Sequence, residues 1–103
     1  MSTAVEMPFA LVTALRAKSQ EQGSPLTDMP LLRVFEMAEL KGLDAMSRLG
    51  IAAELLDATG LCALTITSVD ERRQTKAEAL SLSQRGYDAT DGEVRLTLYP
   101  DAH

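Results

Sequence analysis

Histidine is almost missing from this chain. The only one is His103, the last residue, and a catalytic imidazole has to be fixed by neighbours that a chain end seldom provides. Cysteine is as scarce. Cys62 stands alone, which excludes an intrachain disulfide and, with one histidine, leaves too few soft ligands for a zinc centre. Tryptophan is absent, and Phe9, Phe35, Tyr87 and Tyr99 are the only aromatic residues, so alanine, leucine and methionine must fill the core. The glycines at 23, 42, 50, 60, 86 and 92 are too scattered for either phosphate-binding motif. No apolar run approaches transmembrane length, and residues 1–22 lack the basic start and unbroken apolar stretch of a signal peptide. A cytoplasmic protein without membrane contact is expected, and neither a catalytic group, a metal nor a cofactor.

Basic residues are outnumbered, 10 against 15 acidic, for a net charge of −5. A field of that sign repels nucleic acid and anionic membrane. At 103 residues the chain, 1–103, reads as a single domain with one core and no need of staples.

Most of the large apolar side chains fall in residues 29–59, MPLLRVFEMAELKGLDAMSRLGIAAELLDAT. In its second half Ala45, Met46, Leu49, Ala52, Ala53 and Leu56 share one face at 100° per residue. Gly60 closes that helix and Gly42 separates it from the first, with Asp44 as its expected N-cap. The first half, 29–41, is apolar on most sides. Leu31, Val34, Phe35 and Ala38 make one stripe, and Leu32, Met37 and Leu40 lie off it. A helix of that kind needs cover on most sides, so Leu32, Phe35, Met37 and Leu40 are the expected homodimer or partner interface.

Upstream, residues 3–22 read as a helix, with Thr3 and Glu6 at capping-box spacing and Pro8 delaying its regular start. Downstream, Cys62, Leu64 and Ile66 alternate with Ala63, Thr65 and Thr67 as in a half-buried strand. Ser68 and Glu71 repeat the capping-box spacing, which predicts a fourth helix over 69–85. Asp91-Gly92 predicts a hairpin turn, with Val94, Leu96 and Leu98 alternating in the strand behind it and a short strand at 87–90 in front. The sum is an α+β fold. Three helices in the N-terminal two thirds pack with a two- or three-stranded sheet and a fourth helix.

The segment 69–85 is the one basic stretch, four residues against three. Arg72, Arg73 and Lys76 fall on one side of the predicted helix and Arg85 at its end, a charged surface for an acidic partner or for phosphates. Asp88, Asp91 and Glu93 lack the ligand spacing of a calcium loop.

From Leu31 onward the chain also resembles the winged helix-turn-helix domains of bacterial transcription regulators. LLRVFEMAELKG is similar to the first helix and IAAELLDATGL to the helix before the turn. ALTITSVDERRQTKAEALSLSQRGY would hold the recognition helix, and DATDGEVRLTLYP is similar to a wing. The resemblance covers about two thirds of the chain. It implies that Thr65, Thr67, Ser68, Arg72, Arg73 and Lys76 face a DNA groove. The acidic balance ranks this reading second, because a DNA reader must displace condensed counterions with lysine and arginine. The first is a small acidic regulatory protein of inhibitor, immunity, anti-activator or adaptor type. It would bind itself and another protein, with nucleic acid the less favoured partner.

Overall fold

The computed structural model describes residues 7–70 and 75–100. Helix α1 runs over Met7–Gln22, followed by strand β1 (Met29–Pro30), helices α2 (Leu31–Met37) and α3 (Leu43–Thr59), strands β2 (Cys62–Asp70) and β3 (Thr75–Leu82), and helices α4 (Gln84–Asp88) and α5 (Asp91–Leu98). The three strands form an antiparallel sheet in the order β1-β3-β2, with Leu64 opposite Leu80 and Met29 opposite the same leucine on the other side. The fold is α+β, as the sequence implies. The capping box expected at Thr3 and Glu6 lies outside the described residues.

The core forms where α1, α2 and α3 converge on the sheet. Met7, Leu11, Val12 and Leu15 of α1 are buried at three- and four-residue spacing, against Val34 and Phe35 of α2 and Leu49, Ala53 and Leu56 of α3. Among the described residues Ser19 is the one buried polar side chain of this core. Its hydroxyl donates to the Leu15 carbonyl at 2.6 Å and accepts the Leu26 N–H at 2.9 Å, which fixes the turn into β1. Helix α2 is shorter than the 29–41 span predicted. Its end is a Schellman motif, in which the Leu40 N–H reaches the Phe35 carbonyl and the Glu39 N–H that of Glu36, with Glu39 at φ 59°. Helix α3 stops as expected at Gly60, φ 81°, but its N-cap is Gly42. Asp44 sits in its first turn instead of capping it.

Two predicted elements are replaced. Residues 69–85 do not form a helix: β2 runs to Asp70, β3 begins at Thr75, and only Gln84 onward is helical. Leu80 and Leu82 explain this. Both are buried, and side chains two apart share a face on a strand but lie about 200° apart on a helix. The lysine, glutamate and alanines of 76–79 favour a helix weakly, and pairing with β2 outweighs them. The C-terminal hairpin is likewise absent among the described residues, and 87–90 carries no strand. Thr90 caps α5 by accepting the Glu93 N–H, and the Glu93 carboxylate returns to the Thr90 N–H, a reciprocal capping box. Val94 and Leu98, four apart, are buried, whereas Leu96 is exposed. The same residues that alternate along a strand thus satisfy a helix once the middle one faces water.

Polar ties hold the C-terminal helices to the body. Arg16 of α1 donates to the Ala89 carbonyl at 2.7 Å and to the Asp91 carboxylate. Ser83 donates to the Leu61 carbonyl and caps α4 by accepting the Gly86 N–H at 3.0 Å. Gly86 packs against the loop before β2. A Cβ there would fall on the Leu61 carbonyl oxygen and 2.8 Å from a Leu82 methyl. Gly86→Ala is therefore expected to lower stability by about 2 kcal/mol. Gly92→Ala, whose Cβ would meet nothing nearer than 3.9 Å, should not be destabilising. Thermal melts of both variants check this, and equal midpoints would refute the close packing at Gly86.

Candidate interaction face

Among the described residues, helix α3 is covered mainly on one side. Leu49, Ala52, Ala53 and Leu56 turn inward and are buried. On the other side Leu43 is 82 % exposed and Ile51 70 %, with Met46 and Leu55 at the flanks, 45 % and 38 %. Leu32 of α2, 56 % exposed, adjoins this face. It shares with Pro30, Met46, Leu49, Gly50 and Glu78 an open groove of about 390 Å³. A second hollow of about 350 Å³ lies on the opposite flank of α3, lined by Pro8, Arg48, Ile51, Leu55 and Tyr99. Apolar side chains that a fold leaves in water at this density mark a contact surface more often than chance placement.

The four interface residues predicted on 29–41 do not form one patch. Leu32 lies on the exposed face beside α3. Phe35 is 5 % exposed and belongs to the intrachain core, which corrects its placement at an interface. Leu40 is half-buried and packs on that core, and Met37 lines a separate hollow beside Ala14, Lys18 and Arg33. The short α2 and α1 together absorb the apolar surplus of this segment apart from Leu32. Of the large apolar residues that remain exposed, Leu43, Met46, Ile51 and Leu55 are on α3, and sequence periodicity passes over all of these but Met46. Leu43 precedes the expected cap at Asp44, and Ile51 and Leu55 lie off the stripe that marks the buried side. Counting apolar residues on both faces of 43–59 would find them.

The basic residues are also redistributed. Arg72 and Arg73 lie outside the described residues. The Lys76 backbone pairs with Ser68 in the β2–β3 hairpin. Arg85 is on α4, where its guanidinium donates to the Thr59 carbonyl at 3.0 Å and so caps the end of α3. No single helix carries the four. On the outward side and C-terminal end of α3 the charge is acidic: Asp44, Glu54 and Asp57 against Arg48. Asp57 accepts the Leu64 N–H at 3.1 Å and so occupies the outer edge of β2 at that point.

Cys62 is buried at the start of β2. Burial, and secondarily the Asp57 carboxylate, push its thiol up to about 12, so the thiolate needed for nucleophilic or metal chemistry is not populated near neutral pH. Among the described residues no group of three or more histidine, cysteine, aspartate or glutamate side chains is placed to hold a metal ion, and no helix is long and apolar enough to cross a membrane.

The raised thiol has a consequence for stability. Above pH 9 the unfolded chain ionises Cys62 while the folded chain keeps the proton, so rising pH favours unfolding. Below pH 9 the group contributes its full share; between 9 and 12 that share is lost, at roughly 1 kcal/mol per pH unit. Urea melts across this window should show a steeper loss for the native protein than for Cys62→Ala. Parallel slopes would show that the thiol is not shielded. No family model, no curated protein and no solved structure matches this chain.

Proposed function

We propose that this is a non-enzymatic regulatory protein that binds another protein through the outer face of α3, extended by Leu32 of α2. The observation that carries the reading is the exposure of Leu43 and Ile51 on the side of α3 turned away from the core. An apolar centre rimmed by Asp44, Arg48 and Glu54 has the composition of a protein-binding patch. A buried, protonated cysteine without a partner cysteine suits work in a reducing compartment, the cytoplasm.

A second reading is favoured by the chain order. Helix, strand, two helices and a hairpin, with β3 between β1 and β2, is the order of a winged helix-turn-helix domain. On that analogy of fold, α3 is the helix offered to the DNA groove and the β2–β3 hairpin is the wing. The assignment of parts differs from the one that the sequence resemblance implies, which puts the recognition helix within 63–87 and the wing at 88–100. Arg72, Arg73 and Lys76 would then supply the wing's phosphate contacts. The α3 surface opposes the reading, since one arginine among three carboxylates and several bare apolar side chains neither attracts phosphate nor pairs with base edges.

Two measurements separate the readings. Leu43→Glu with Ile51→Glu should leave the melting temperature nearly unchanged and abolish recovery of a partner protein by affinity capture from the native host. Undiminished recovery would remove α3 as the contact surface. Fluorescence anisotropy with mixed duplex DNA at low salt should show no association. Binding that weakens with salt and is lost in Arg72→Ala with Arg73→Ala would reverse the order of the two readings.

A further inference from the structure

The same face carries information on the chemistry of its partner, an inference that rests on the protein-binding reading. Gly50 sits in the middle of α3, where glycine costs a helix about 1 kcal/mol against alanine. Nothing inside the fold explains that cost. Its backbone is helical, and a Cβ built on it would have no atom within 4 Å. The position opens instead into the groove walled by Leu32 and Met46 and floored by Leu31 and Leu49. A residue without a side chain there lets a second backbone approach α3 closely, as small residues do wherever helices pack at short range. Apolar contacts at Met46, one turn before Gly50, and at Leu32 across the groove suit a helix laid along it, which is a recurrent mode of peptide recognition.

The charge around the groove decides what kind of helix. Among the described residues Glu78 of β3 is the only charged one lining it. Glu54 follows Gly50 by one helical turn and Asp57 follows at the end of α3. Among the described residues neither Glu54 nor Glu78 has an ion-pair partner. Two copies of this face would bring these carboxylates together, on chains that each already carry −5, and like charges across an interface oppose association. We infer that the α2–α3 groove binds a positively charged amphipathic helix, which packs an apolar stripe over Gly50 and sets lysine or arginine against Glu54 and Glu78.

The test uses the full chain, labelled with nitrogen-15, and two synthetic amphipathic leucine peptides of about 15 residues, long enough to hold a helix. One has a lysine polar face and the other a glutamate polar face. The lysine peptide should shift amide signals of residues 31–32, 46–50 and 78 to saturation, and the glutamate peptide should bind at least about tenfold more weakly. Gly50→Leu should remove binding while the protein stays folded, and Gly50→Ala should raise the melting temperature while weakening binding. Glu78→Lys leaves α3 untouched and should reverse the preference between the peptides. Equal affinity for both peptides would overturn the charge assignment but leave a protein-binding face. Shifts confined to other surfaces, or full binding by Gly50→Leu, would overturn the groove. Shifts at these amides on raising protein concentration alone would make a second copy the occupant. Failure of both peptides, together with undiminished partner capture by the α3 double variant, would remove the underlying reading as well.

Discussion

The fold depends on how little of α3 is used to hold it. A narrow stripe of Leu49, Ala52, Ala53 and Leu56 seats the helix against α1 and the sheet. Two of these four are alanines, so the helix sits close to its neighbours and is gripped over a small arc. Fully burying each leucine contributes about 2 kcal/mol, and each alanine less. The helix is fixed because α1 meets it with buried leucines, among them Leu11 and Leu15, and β2 packs beside it. The same narrow seat leaves the other side of the helix in water.

Most consequences for function follow from that one-sided grip. A helix seated on alanine has its larger apolar residues free for other use. Here Leu43, Ile51 and Leu55 point away from the core, and Gly50 leaves a gap between Met46 and Glu54. The C-terminal helices do not close over this face. Arg16 holds the start of α5 against α1, and Arg85 holds α4 at the last carbonyls of α3. Tyr99, at the end of α5, borders the hollow beside Ile51 and Leu55. Arg95 lies with its guanidinium 4.0 Å from the centre of the Phe9 ring, a further link between α5 and α1. The polar contacts thus tie the C-terminal helices to α1 and to the end of α3, and among the described residues Leu43 and Ile51 stay exposed.

The reduced reactivity of Cys62 belongs to the same economy. Its position on the inward side of β2 makes it one more small apolar contact, and the Asp57 carboxylate that blocks the outer edge of β2 also disfavours its thiolate. One side chain at the end of α3 thereby limits strand pairing and thiol chemistry together.

Several elements are legible in the residues themselves. Helices α1 and α3 follow from apolar spacing, and the end of α3 from Gly60, because those signals lie within a few residues of one another. The first strand of the hairpin follows from the alternation after Gly60. Undecided by sequence is any segment whose residues satisfy both periods. Val94, Leu96 and Leu98 fit a strand or a helix, and the choice falls to the Thr90–Glu93 box and to the place on α1 where Val94 can be buried. Residues 75–82 favour a helix locally and become the central strand because β1 and β2 both pair with them. The division of apolar residues between core and surface is undecided by sequence for the same reason. Whether an apolar side chain is core or surface depends on what else reaches it, so Phe35 goes inside and Leu43 stays outside. Local spacing determined the α+β class, and composition the acidic charge and the scarcity of histidine and cysteine. Only the packing of distant segments decided which face of α3 was left uncovered, because burial is a property of neighbours brought together by the fold.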